Sequence, residues 1–175
     1  MKRRIVPVVA LLASLSAHAA RGETLSPLQQ LFFLIGTWTS SGPDNSTGGT
    51  VFSLSLQGQV MLRTNFAAYP AQGDKPASRH DDLMVIYPSG RVWRADYYDN
   101  EGHVIRYSVV TPRTGTALFV SDEVPQQPRY RLTYVLRGDG LAGTFEVAPP
   151  GQPEGFKTYL TWKSQKASTE DTPTH

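Results

Sequence analysis

Histidine, with an ordinary pKa of about 6.5, is the side chain best suited to moving protons near neutrality. The chain has four: His18, His80, His103 and His175. His18 falls in an N-terminal segment that reads as a secretory leader and His175 in a polar C-terminal stretch, which leaves His80 and His103 as site histidines. Tyr98 and His103 flank the turn sequence Asp99-Asn100-Glu101-Gly102. In a regular hairpin they face each other, with Asp96 opposite Ile105 and Arg94 opposite Tyr107. Period two then gathers Arg94, Asp96, Tyr98, His103 and Tyr107 on one face and Trp93, Ala95, Tyr97, Val104 and Arg106 on the other. If the first face lines an interior, Arg94 and Asp96 form a buried polar pair that calls for a polar ligand, and His103 with Asp96 or Tyr98 makes an acid–base pair. If it points outward, the same residues are a solvated cross-strand ladder.

Other chemistries find less support. A zinc site needs three or four protein ligands. His80, Asp81, Asp82 and His103 could gather at one mouth, but their spacing matches no metal motif, so no metal is expected. The run Ser78-Arg79-His80-Asp81-Asp82 reads as a solvated loop. There is no cysteine and no Gly-x-Ser-x-Gly elbow for a nucleophile. Ser46-Thr47-Gly48-Gly49 lacks the lysine and following helix of a phosphate-binding loop.

The elements that must position these residues are strands. Ser26-Pro27, a good N-cap and first-turn pair, opens a short helix carrying Leu28, Leu31, Phe32, Phe33 and Leu34, which would plug or flank a sheet. From Gly36 onward, short runs rich in β-branched and aromatic residues alternate with Gly, Pro, Asn and Asp. Strands are predicted over Thr37 to Ser41, Thr50 to Leu56, Gln59 to Ala67, Leu83 to Tyr87, Val92 to Tyr98, Val104 to Thr111, Ala117 to Ser121, Arg129 to Leu136, Ala142 to Val147 and Lys157 to Lys163. Short glycine-bearing turns make neighbours antiparallel, and closure removes exposed edges. The expected fold is therefore all-β: an antiparallel up-and-down barrel of about ten strands with a short N-terminal helix, spanning residues 26–163. A two-sheet sandwich, using the longer loops at 68–81 and 122–128, is the alternative. Residues 164–175 are polar and aperiodic and read as a disordered tail.

Leu34-Ile35-Gly36-Thr37-Trp38 resembles the opening of calycin barrels, in which a Gly-x-Trp follows a short helical segment and the Trp fills the closed end. More narrowly, Asp81 to Tyr87 and Asp96 to His103 resemble the lipocalin-like bacterial proteins of unknown function, a likeness that spans roughly residues 30–163. The opening is also similar to that of nitrobindin, whose Gly-x-Trp-x-Gly-x-Gly signature is met at Gly36, Trp38 and Gly42, with Ser40 departing from it. That resemblance implies haem held by a histidine of a late strand, whereas Phe156 to Lys163 contains none.

Aromatic residues spread over several strands (Trp93, Tyr97, Tyr107, Tyr130, Tyr134, Phe145, Tyr159 and Trp162) suit either a packed core or a ligand cavity. About ten strands leave more room than eight, which favours the cavity. The expectation is a binding module for a small, largely apolar ligand, lined by Trp38, Arg94, Asp96, Tyr98, His103, Tyr107, Tyr130 and Tyr134. An acid–base enzyme built on His103 and a haem barrel are the alternatives. Met1 to Arg4 is basic, Ile5 to Leu15 apolar and Ala17 to Ala20 small-residue, the order of a secretory signal covering residues 1–20. A periplasmic or secreted location follows, without stable membrane insertion, because that apolar run is too short for an anchor. Removing Lys2, Arg3 and Arg4 leaves 14 of the 17 basic residues against 15 acidic ones, so the formal charge of +2 becomes −1. The mature chain therefore has no basic surplus of the kind that binds nucleic acid. With no cysteine, the fold must rest on its apolar core alone.

Overall fold

A computed structural model describes residues 28–42 and 44–167. The leader, Ser26, Pro27 and residues 168–175 of the expected tail lie outside the described residues. A 3-10 helix, Gln29–Leu34, leads into β1 (Gly36–Ser41), β2 (Thr47–Ser55), β3 (Val60–Tyr69), β4 (Ser78–Ser89) and β5 (Val92–Asp99). These are followed by β6 (Val104–Arg113), β7 (Thr116–Ser121), β8 (Arg129–Arg137), β9 (Gly140–Ala148) and β10 (Lys157–Lys166). Each strand pairs antiparallel with its sequence neighbours, and β1 pairs with β10, so the meander closes into a ten-strand up-and-down barrel rather than a sandwich.

Most strand ends differ from the sequence reading by one to a few residues, and two of the differences bear on closure and on the site. β10 runs three residues past Lys163: Ser164 pairs with Leu141 and is buried, and Lys166 pairs with Trp38 to close the ring. β4 begins at Ser78, because Arg79 to Asp82 pair with Ala68 to Asn65 of β3 along the stretch that reads as a loop.

The loops after odd-numbered strands lie at one end of such a barrel and those after even-numbered strands at the other, together with the N-terminal helix that enters β1. At this second end Leu28, which precedes the helix, and Leu31 and Leu34 within it join Trp38, Phe52, Met61, Met84 and Ile86 in a buried core. Trp38 Nε1 donates to the Leu34 carbonyl oxygen at 2.7 Å, and the Lys166 ammonium lies 5.5 Å from its ring centre. Gly36 has φ +130°, and a Cβ there would come within 2.8 Å of Lys166 Cε, so the helix-to-strand switch requires glycine. The helix, Trp38 and the small ring of apolar residues shut this end. Side chains thin out toward the other end, which opens into a cavity.

Candidate functional site

The cavity has a volume of about 950 Å3 and opens at the end of the barrel that carries the turns after β1 and β5. Its walls differ. In the ring, β4 stands opposite β9. The inward positions of β3, β4 and β5 carry Arg63, Asn65, His80, Asp82, Tyr97 and Asp99, whereas those of β8, β9 and β10 carry Tyr130, Leu132, Phe145, Leu160 and Trp162.

The polar wall is a hydrogen-bonded network. Arg63 and Asp82 are buried, their side chains 6% and 2% exposed. Arg63 Nη2 donates to both Asp82 oxygens at 2.7 and 2.9 Å, Asn65 Nδ2 donates to Asp82 Oδ2 at 2.7 Å, and Thr50 Oγ1 donates to Asn65 Oδ1 at 2.6 Å. Burial pushes the Asp82 carboxyl above its ordinary range, outweighing the pull of the Arg63 charge and the Asn65 amide. Toward the mouth, the Tyr97 hydroxyl lies 3.1 Å from His80 Nε2 and donates to Asp99 Oδ2 at 3.1 Å. Asp99 Oδ2 also meets His103 Nδ1 at 2.8 Å, and His80 Nδ1 meets Glu101 Oε1 at 3.0 Å. Burial and the nearby Asp82 and Asp99 carboxylates push the Tyr97 phenol up. Burial would also raise Asp99, but N–H donors of His103 and Glu101 and the Tyr97 hydroxyl hold it below the usual carboxylate range.

Aromatic contact builds the opposite wall and the floor. Tyr134 meets Phe52, Phe119 and Trp162 edge-to-face at centroid distances of 5.4, 6.1 and 5.9 Å. Tyr130 and Phe145 stack at 5.8 Å near the mouth. Trp162 lies across Gly143 of β9, where a Cβ would come within 2.1 Å of the indole.

The residues expected to line the interior separate into groups. Tyr107, Tyr130 and His103 line the cavity, His103 at its rim. Tyr134 and Trp38 are buried in the core and do not line the cavity, Trp38 lying at the closed end. Arg94, Asp96 and Tyr98 lie on the outer face instead, which corrects the inward reading. Asp99 and His103 form a pair across only Asn100, Glu101 and Gly102, with Gly102 at φ +90° closing the turn onto Asp99 O at 3.2 Å. The expected register assumed one more loop residue. The three-residue loop pairs Tyr98 with Val104 and Ala95 with Tyr107, and that one-residue slip reverses which residues of β6 share a face with β5. Trp93, Ala95, Tyr97, Ile105 and Tyr107 therefore share the inner side. Outside, Arg94 donates to Ser108 and pairs with Asp122, Tyr87 donates to Asp96, and Tyr98 is 42% exposed. An acid–base pair of His103 with Asp96 or Tyr98 is thus removed by geometry; the histidine's partner is Asp99.

Arg63 and Asn65 escaped the sequence reading, which weighed His80 and Asp82 as metal ligands at a mouth and placed them on a solvated loop. The signal was present in the period-two alternation from Met61 through Arg63 to Asn65, and from Ile86 back through Met84 and Asp82 to His80. Asp81, placed between inward neighbours, points out and pairs with Arg79. Among the described residues no group of three or more His, Cys, Asp or Glu is placed to hold a metal ion. Nor do the residues fit haem held from the last strand: β10 has no histidine, and His80 has both ring nitrogens engaged at the mouth.

Architecture and cavity together define a closed ten-strand antiparallel barrel compatible with a calycin-like fold, with an interior of the size used for small molecules. Comparison with known proteins finds no matching family model and no significant match among curated proteins.

Proposed function

We propose that this protein is an exported binding protein for a small, largely apolar molecule that carries one polar end. The carrying observation is the pairing of an aromatic wall on β8 to β10 with a polar wall on β3 to β5 around one cavity of about 950 Å3. Such sites are mostly apolar, with a few fixed polar groups that set orientation. The aromatic wall would hold the body of the ligand by area and ring contact. The opposite wall would orient its polar end. Gly36 and Trp38, seated at the closed end, support a lipocalin-like lineage, and the basic, apolar, small-residue order of residues 1–20 supports export to the periplasm or beyond.

Native mass spectrometry of protein purified from its own source tests this reading. A chain shortened by its first 20 or so residues, carrying one co-purifying molecule lost on collisional activation, is the expected result. A full-length chain would contradict export. Ligand-free protein that also takes up no apolar probe would contradict the binding role.

A further inference from the structure

The polar wall contains hydrogen-bond donors that the protein itself leaves unanswered. Arginine carries five N–H donors and no acceptor. Arg63 uses Nη2 on Asp82, but Nε and Nη1 are buried and meet no acceptor among the described residues. The Tyr134 hydroxyl is in the same condition, buried and without a partner among the described residues, and close enough to Arg63 to feel its charge. Leaving such groups unmatched costs about 1 to 3 kcal/mol each, more when charged. Arg63 lines the cavity, and Tyr134 is buried behind the lining, against Trp162.

The chemistry of the missing partner follows from charge. It must accept, since the guanidinium can only donate. The positive charge of Arg63 already faces the Asp82 carboxylate at 2.7 Å. A second buried anion would set two negative charges against one positive one, at a desolvation cost that a neutral group avoids. A neutral oxygen on an apolar body meets both conditions.

Accepting that the cavity binds a small molecule, we propose that Arg63, assisted by Tyr134, receives a neutral carbonyl oxygen (ketone, ester, amide or quinone) at the inner end of that ligand. The apolar remainder lies along Leu132, Phe145 and Trp162. Arg63 thereby selects carbonyl compounds over hydrocarbons and over carboxylates of the same shape.

Three naphthalene probes test this: 2-acetylnaphthalene, 2-ethylnaphthalene and 2-naphthoate, each titrated against the purified chain by quenching of tryptophan fluorescence. The ketone is expected to bind about tenfold or more tightly than the hydrocarbon, the worth of one hydrogen bond to a charged group, and more tightly than the carboxylate. The carbonyl stretch of the bound ketone should fall relative to the same ketone in hexane. Because Arg63→Met leaves Asp82 buried without its partner, the variants are the double Arg63→Met/Asp82→Leu and the near-isosteric Tyr134→Phe. The double variant should lose the preference for ketone while still binding 2-ethylnaphthalene, and Tyr134→Phe should weaken ketone binding several-fold. Equal binding of ketone and hydrocarbon, or tightest binding of the carboxylate, overturns the carbonyl assignment and leaves the binding role standing. Failure of all three probes overturns both.

Discussion

The two walls of the cavity obey the same rule of alternation and reach opposite results. On β8 to β10 the inward positions hold rings and aliphatic chains, whose removal from water and edge-to-face contacts are favourable whether or not a ligand is present. On β3 to β5 they hold Arg63, Asp82, Asn65, His80 and Tyr97, whose burial costs free energy unless every donor finds an acceptor. The difference suits a division of labour: the aromatic wall contributes apolar burial and shapes the interior, and on the proposed function the polar wall is kept at a cost to stability because it orients the ligand.

That contrast yields an ordered set of outcomes. The largest effect falls on the buried ion pair. Arg63→Met or Asp82→Ala should each lower the free energy of urea unfolding by about 3–5 kcal/mol, and Arg63→Met/Asp82→Leu should recover most of the loss, because the penalty lies in stranding one charge. A double variant no better than the single ones would break the contrast. On the aromatic wall, Gly143→Ala presses a Cβ into the Trp162 indole, which Tyr134 contacts edge-to-face. A loss of about 1–3 kcal/mol is expected, read by the same unfolding measurement.

Acid dependence comes next. The carboxyl of Asp99 is held below its ordinary value of 3.8 in the folded state, so the stability it contributes is present above that value and is lost as pH falls through the lower folded one. Asp99→Asn should therefore lower stability by about 1 kcal/mol at neutral pH and flatten the fall in melting temperature below pH 4. Asp82 has the opposite displacement and does not share this trend. Smallest are the outer-face substitutions: Arg94→Ala, Asp96→Ala and Tyr98→Ala should each change stability by less than about 1 kcal/mol and leave probe binding unchanged within about twofold.

The barrel was legible in the sequence because its determinants are local. Strand runs, turn glycines and the Gly36-x-Trp38 switch are each read within a few residues, and all ten strands follow from them. The site was less legible because it depends on register and on an inverted pattern. One residue in the loop between Asp99 and His103 decides whether His103 and Tyr107 share a face with Arg94 or with Tyr97, and composition alone does not settle whether Gly102 closes a three- or a four-residue loop. The start of β4 was hidden for a different reason: Arg79 to Asp82 are all polar, which reads as solvent-facing, yet in a barrel with a polar wall His80 and Asp82 are the inside. Arg63 and Asn65 sit in an apolar-looking strand where single polar residues draw no attention until Asp82 is placed beside them.

The central claim is that the open end of this barrel holds a small apolar-bodied molecule between its two walls. Titration with the neutral fluorophore N-phenyl-1-naphthylamine tests it most directly, comparing the unaltered chain with Ile105→Trp, which pushes an indole into the cavity, and Arg94→Ala, which lies outside it. The account predicts saturable binding of one probe per chain, weakened several-fold by Ile105→Trp and untouched by Arg94→Ala. Absence of saturable binding, or binding that Ile105→Trp leaves unchanged, would contradict it.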